Sequence, residues 1–130
     1  MSDAIVEGAQ CRPNFSAAGR RRRARVAQIG AVVAVVLFVA LALVHAPWPL
    51  RLIVGLPAGA AFISGLQVRR NTCVAHARTG MFENDDFTTT KVDEAFAAAS
   101  RRVAATIWRD GLIGMVIVAG IAALSAWILP

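Results

Sequence analysis

Charged residues are scarce in this chain of 130 residues: Asp, Glu, Lys and Arg together make up 17%, while hydrophobic residues make up 57%. Soluble globular domains carry about 25% charged residues, and the apolar residues here gather in three long uncharged stretches. The sequence outside those stretches is too short to build a soluble catalytic core. The composition therefore predicts an integral membrane protein and argues against a standalone soluble enzyme.

The sequence has few cysteines and no acidic residue inside the three uncharged stretches. Two cysteines are too few for a disulfide framework. All eight acidic residues lie outside the uncharged stretches, so a proton relay or cation-coupled pump has no intramembrane carboxylate to use. The sequence has no Ser-His-Asp set and no glycine loop for phosphate. We therefore expect a protein that is not an enzyme and that holds no cofactor.

The three uncharged stretches predict transmembrane helices at residues 26–46, 51–68 and 111–129. The first is long enough, at 1.5 Å per residue, to cross a bilayer core of about 30 Å. Pro47 and Pro49 cannot both lie inside a helix, so the first helix ends before them. We predict an all-α fold with a basic N-terminal arm at residues 1–25 and a membrane domain at residues 26–130.

The distribution of basic residues predicts the orientation. Residues 1–25 hold six Lys or Arg, residues 69–110 hold seven, and the turn between the first two spans holds only Arg51. The positive-inside rule then places the N-terminus and residues 69–110 in the cytoplasm and the C-terminus outside. We expect residues 1–19 to be extended or disordered unless a partner orders them.

Residues 69–110 predict a cytoplasmic helical hairpin. The second helix is expected to continue to Gly80, which suits a left-handed stop. An acidic turn follows at residues 81–86. Thr90 and Asp93 then have the spacing of a capping box, and apolar residues at helical spacing lead into the third span.

A basic cluster precedes the first span, at Arg20, Arg21, Arg22, Arg23 and Arg25. Such juxtamembrane arginines attract anionic lipid headgroups at about 1 kcal/mol each. The simpler interpretation is that they only fix the orientation. Nucleic acid is not an expected partner, because no aromatic or RNA-binding motif accompanies the arginines.

The second span contains small residues four positions apart in the sequence: Gly55 and Gly59, and Ala61 and Gly65. Such residues let helix backbones approach closely in a membrane. The pattern predicts close helix packing, either within this chain or with another protein.

Three further residues are possible ligands. His45, followed by Trp48 at the outer end of an N-in span, resembles the pigment site of the light-harvesting antenna polypeptides of purple bacteria. Leu41 stands where that family has a small residue, and an interfacial histidine is the favoured interpretation. Cys73 and His76 lie three apart, but a metal would need two more ligands. We therefore expect a packed or free thiol and no metal.

The stretch from Leu66 to Val74, Leu-Gln-Val-Arg-Arg-Asn-Thr-Cys-Val, with Gly80 after it, resembles a group of uncharacterised small bacterial membrane proteins. In that group a span exits through Leu-Gln-x-Arg into Thr-Cys-Val, and a glycine and a helix follow before a last span. The resemblance covers residues 60–130. It implies a bacterial inner membrane and no known activity.

These features favour a non-enzymatic accessory or scaffold subunit of a larger membrane complex, respiratory or photosynthetic, whose partners are anionic lipids and other membrane subunits. Two alternatives stay open: a small oligomeric transporter or channel, and a metal- or redox-sensing protein that uses Cys73 and His76.

Overall fold

The computed structural model describes residues 13–130, and within them the chain is mostly helical. Three helices are long and apolar enough to cross a membrane: α1 (Ala17–Leu43), α2 (Trp48–Arg69) and α4 (Glu94–Ile128). A short helix, α3 (Val74–Thr79), and two strands, β1 (Met81–Glu83) and β2 (Thr89–Lys91), lie between α2 and α4. The expectation of three long apolar helices is confirmed.

Helix α1 begins and ends at residues with clear physical roles. Ser16 is its N-cap, and the Ser16 hydroxyl accepts a hydrogen bond from the backbone N–H of Gly19. After Leu43 the chain turns at His45, whose φ of 53° is left-handed, and reaches Pro47, which caps α2. The prolines thus separate the first two helices, as the sequence predicts.

Helix α2 is not uniform. Residues Leu52–Val54 form a 3-10 turn between two α-helical segments, just before Pro57. Because proline has no N–H to donate to the carbonyl four residues earlier, the regular ladder is interrupted there. The helix ends at Arg69, and Asn71 then takes a left-handed φ of 52°.

The expected extension of α2 to Gly80 is therefore wrong. Thr72 and Cys73 are extended, and Gly80 instead ends the separate helix α3, with a left-handed φ of 67°. Gly80 does end a helix, as predicted, but that helix is the six-residue α3.

The expected acidic turn at residues 81–86 is part of a β-hairpin. Strands β1 and β2 pair antiparallel, with Met81 opposite Lys91 and Glu83 opposite Thr89. Thr90 lies in β2, so it does not form the predicted capping box. Asp93 alone caps α4, and its carboxylate accepts from the N–H of Phe96 over 2.8 Å.

Helix α4 is continuous through Gly111 and Gly114. Its 35 residues measure about 52 Å at 1.5 Å per residue, more than the thickness of a bilayer core. The first turns of α4 extend past the bundle and pack on α3, where Val74 and Ala77 meet Ala104 and Ile107.

We call the polar end of the molecule the cap, which comprises residues 13–16, residues 70–93 and the first turns of α4. Phe15 forms an isolated parallel bridge with Glu83 and is 2% exposed. Asn14 and Phe15 are buried in the cap and residues 17–19 begin α1, which corrects the expected extended or disordered arm for residues 13–19. The expectation for residues 1–12 lies outside the described residues.

Helix α2 lies between α1 and α4 and contacts both. At the end far from the cap, Ala34 of α1, Val54 and Ala58 of α2 and Ala122 of α4 form an apolar core. Most large side chains of α1 and α4 point away from this core.

Candidate functional site

An ion pair between Arg23 of α1 and Glu83 of β1 lies where α1 meets the cap. Nη2 of Arg23 donates to Oε2 of Glu83 over 2.7 Å, and the two side chains are 13% and 4% exposed. Arg23 also donates to the carbonyl of Gly19, and its guanidinium carbon is 4.6 Å from the centre of the Phe15 ring. Because a buried charge without a partner is strongly destabilising, these contacts hold α1 to strand β1.

Gly19 is required by this ion pair. A methyl group at Gly19 would come within 2.9 Å of both Oε1 of Glu83 and Nη1 of Arg23. Any side chain at this position would have to displace the ends of the Arg23 and Glu83 side chains, so glycine lets the ion pair lie against the helix backbone.

Asn14 joins the segment before α1 to the segment before α3. Its amide Nδ2 donates to the Cys73 carbonyl over 3.0 Å, and its Oδ1 accepts from the Cys73 backbone N–H. Asn14 is 1% exposed and Cys73 is 4% exposed. The Cys73 side chain is thus a buried free thiol.

His76 faces the ion pair without completing a hydrogen bond. Its Nδ1 lies 3.4 Å from Oε2 of Glu83, but the geometry is not that of a hydrogen bond. Among residues 13–130, neither His76 Nδ1 nor Glu83 Oε1, both buried, has a hydrogen-bond partner. Burial lowers the pKa of His76 below its ordinary value of 6.5; the charge of Glu83 opposes this shift, and the charge of Arg23 adds to it. The imidazole is accordingly neutral near pH 7.

Cys73 and His76, the two candidate ligands predicted in this region, are thus brought beside Glu83 and Arg23. Within residues 13–130, no group of three His, Cys, Asp or Glu side chains is placed to hold a metal ion. Arg23 bonds Oε2 of Glu83, and its positive charge repels a cation. The cluster is a buried polar joint between α1 and the two segments of the cap that carry His76 and Glu83.

The five arginines of the predicted lipid-binding cluster divide into two groups. Arg20 donates to the carbonyl of Val68 over 2.9 Å and to Oδ1 of Asn71 over 2.6 Å, and Arg23 belongs to the buried ion pair. The other three are exposed and make no ion pair within the described residues: Arg21, Arg22 and Arg25. The sequence alone does not distinguish the two groups, because their partners are far along the chain.

The three exposed arginines surround a depression of about 390 Å³, lined by Ala18, Arg21, Arg22, Arg25, Val26 and Phe87. Phe87 comes from the tip of the β-hairpin, and the guanidinium carbon of Arg22 lies 5.7 Å from the centre of its ring. A second depression, of about 380 Å³, is lined by Arg70, Arg102, Val103 and Thr106. In it Arg70 is already bonded to Thr106 and Asp110.

Arg51 is a buried residue whose role sequence analysis missed. It is 0% exposed. Its Nε donates to the carbonyl of Ala46, its Nη1 to the hydroxyl of Ser125 and its Nη2 to the carbonyl of Leu129, over 2.8 to 2.9 Å. Its isolation between two uncharged runs was the available signal, since a lone arginine there needs partners from other helices.

The predicted small-residue positions are used within this chain. A methyl group at Gly55 would come within 2.8 Å of Ala119 Cβ on α4, and one at Gly59 within 2.9 Å of Met115 Sδ. On the opposite side of α2, Ala61 packs against Gly30 of α1, and Gly65 lies nearest to Ala27. Sequence analysis did not select Gly30, although it is one of the few buried residues of α1.

His45, the candidate pigment ligand, is exposed in the turn between α1 and α2, with its Nδ1 beside the carbonyl of Pro130. The nearby Trp48 is also exposed. His45 lines an open depression of about 420 Å³ between the ends of the first and last long helices, together with apolar residues of both.

An apolar groove of about 240 Å³ lies between the helices, lined by Ala34, Val35, Phe38, Val54, Val118, Ile121 and Ala122.

No protein-family model, curated protein or solved structure matches this chain. The chemistry of its own residues is therefore the basis for a functional proposal.

Proposed function

We propose that this protein is a non-enzymatic accessory or scaffold subunit of a larger complex in a bacterial inner membrane. The observation that supports the proposal is that the buried charged side chains bond to other parts of the same chain. Arg51 and the Arg23–Glu83 pair are bonded to the chain's own segments and stabilise the fold. Within residues 13–130, the groups that remain free to contact other molecules are those on the exposed surface.

The apolar surfaces of the long helices support this proposal. In the most apolar window of each helix, only 11% of residues are buried in α1, 33% in α2 and 17% in α4. Lipid covers such surfaces in a free chain, and other subunits cover them in a complex. The bundle interior is closed by contacts such as Gly30 with Ala61 and Gly55 with Ala119, so a conducting pore would have to form between copies.

In this proposal all three long helices span the membrane, with the cap in the cytoplasm. Thirteen of the fourteen basic residues lie in the N-terminal arm and in residues 69–110, and Arg51 lies at the other end. The resemblance of Leu66–Val74 to small bacterial membrane proteins supports the inner membrane as the location.

The test is co-migration of the native protein in mild detergent. We expect it to run with an assembly far larger than its own 13.8 kDa, and mass spectrometry of that band identifies the partners. Val36→Trp, at an outward position of α1 that is 61% exposed, should weaken co-migration without lowering the thermal stability of the purified chain. A deletion of residues 2–12, which keeps Asn14 and Phe15, tests the arm in the same way.

Two results would favour the alternatives. A purified homo-oligomer that passes ions into liposomes would support the channel. Reversible oxidation of Cys73 in cells, coupled to a change in the cap, would support the redox sensor.

A further inference from the structure

The depression beside the start of α1 is lined by three arginines, by apolar residues of α1 and by an exposed aromatic ring. Arg21, Arg22 and Arg25 present guanidinium groups that have no carboxylate partner within residues 13–130, and guanidinium is the side chain best suited to bidentate phosphate contacts. Two carboxylates lie in the adjoining turn: Asp85, whose Oδ1 accepts from the N–H of Ala18 at 3.5 Å, and Asp86, which accepts from Thr88. The positive charge of the site exceeds the negative charge.

The site lies where the polar cap meets the apolar helix. Val26 lines it and begins the uncharged run of α1. Arg20, next to Arg21 in the sequence, bonds to the end of α2. The packing of α1 on α2 thus fixes the position of the site along the helices. A ligand held here has its charged part against the arginines and an apolar part beside Val26.

Phe87 adds an aromatic wall to the site. It is 53% exposed and takes a φ of 65°, a conformation that a bulky residue adopts only when its surroundings impose it. The surroundings are ordered here: the Phe87 N–H donates to the Asn84 carbonyl, and Thr88 donates to Asp86 through both its N–H and its hydroxyl. The turn thus holds an exposed ring over Arg22.

We propose that this depression binds the phosphate headgroup of an anionic glycerophospholipid, with the glycerol end beside Val26 and Phe87. The proposal deepens the proposed function and rests on its assumption that α1 enters the bilayer. Lipid is favoured over other phosphate compounds because the apolar helix and the exposed ring adjoin the arginines. A soluble ligand would gain nothing from that neighbourhood.

The second depression provides a matched control. Arg102 is exposed and lines a cavity of similar volume, but the arginine across from it, Arg70, is bonded to Asp110, and no aromatic ring lines the cavity. Arg102→Gln removes the same charge as Arg22→Gln or Arg25→Gln and leaves the proposed site intact.

The test measures binding to the full chain purified in a nonionic detergent. The probes are short-chain phosphatidylglycerol, short-chain phosphatidylcholine and inorganic phosphate, followed by native mass spectrometry and calorimetry. We expect phosphatidylglycerol to bind best. Arg22→Gln and Arg25→Gln should each weaken it about fivefold, since one juxtamembrane arginine contributes about that factor. Arg102→Gln should leave it unchanged, and Phe87→Ala should weaken it without changing the affinity for inorganic phosphate.

Several results would overturn the proposal. Equal binding of both lipids shows that no headgroup is recognised, and inorganic phosphate binding as tightly as the lipid indicates a soluble ligand. An equal loss in Arg102→Gln indicates a diffuse charge effect. Tighter binding of a single-stranded oligonucleotide, lost in the same variants, indicates a nucleic-acid site. If lipid binding fails while native co-migration persists, the headgroup site is wrong and the subunit proposal stands.

Discussion

At the scale of single residues, Arg51 bears the most on stability. Its guanidinium satisfies two backbone carbonyls and one hydroxyl at the junction of α1, α2 and α4, and it is fully buried. Hydrogen bonds from a charged donor contribute about 1.5–3 kcal/mol each to stability when their partners are otherwise left unpaired. One side chain thus connects three helices.

Arg51→Met keeps an unbranched side chain and removes the donors. We expect the purified protein to lose roughly 2–4 kcal/mol of stability, because buried carbonyl groups are left without partners. Thermal or denaturant unfolding in detergent measures this loss. Arg78→Met, at an exposed position of α3, is the control and should stay near the wild-type value; similar losses in both variants would contradict the role of Arg51.

His76 gives the cap a dependence on pH. Burial lowers its pKa in the folded state below 6.5, so between the two pKa values the unfolded chain binds a proton that the folded chain does not. Stability is therefore highest above about pH 6.5 and falls as the pH drops through that value. Glu83 and Arg23 are the charged groups beside His76.

We accordingly expect the melting temperature to fall between pH 7.5 and pH 5.5, and His76→Gln to reduce that fall. Scanning calorimetry of both proteins across this range is the measurement. A melting temperature of the wild type that is independent of pH in this window would count against a neutral, buried His76.

At the scale of elements, the glycines of the helix contacts differ in how much they tolerate. A methyl group at Gly30 would meet the backbone carbonyl oxygen of Pro57 at 2.9 Å, and one at Gly55 would meet Ala119 Cβ at 2.8 Å. Neither neighbour is the end of a flexible side chain. Gly120 has nothing within 4 Å of the same position.

Gly30→Ala and Gly55→Ala should therefore each destabilise the bundle by about 1–3 kcal/mol through overpacking. Gly120→Ala should be neutral or stabilising by up to about 1 kcal/mol, because alanine is the better helix former. Unfolding in detergent ranks the three. Equal effects would mean that the helices do not meet at these glycines.

The helices themselves were largely predictable, because an uncharged run and a proline pair are local signals. The end of α2 was not. Asn71 turns the chain, and Asn14, 59 residues before Cys73, bonds to both backbone groups of that residue. A contact of that separation leaves no periodic trace in the sequence, so residues 70–79 look like a continuation of the helix.

The same reason explains what the sequence leaves open in the site. The five arginines of the basic cluster are chemically identical in the sequence, and their contacts differ because Glu83 faces Arg23 and Val68 faces Arg20. The small residues of α2 were found from their spacing, but the sequence does not tell which helix each of them contacts.

At the scale of the whole molecule, the proposed orientation is testable by thiol labelling. Cys73 is a poor reporter because it is buried, so the background should be Cys11→Ala with Cys73→Ala. Trp48→Cys and Lys91→Cys then place thiols at exposed positions at opposite ends of the molecule.

We expect an impermeant thiol reagent added outside intact cells to label Trp48→Cys and not Lys91→Cys, because the end rich in arginine remains in the cytoplasm. Labelling of both after the membrane is opened is the control. The reverse pattern in intact cells would place the cap, and with it the proposed headgroup site, outside.

In the proposed membrane topology, the bonds of Arg51 also impose an order on biogenesis. Ser125 and Leu129 follow Arg51 by 74 and 78 residues, so a ribosome working at about 5–20 residues per second delivers them roughly 4 to 15 seconds later. During that interval the guanidinium has to stay in water or among headgroups, since an unpartnered cation is costly in the bilayer. The junction of the first two helices is therefore completed only after the third has been inserted, and a chain stalled in between would keep a solvated arginine at an unfinished turn, accessible to membrane proteases.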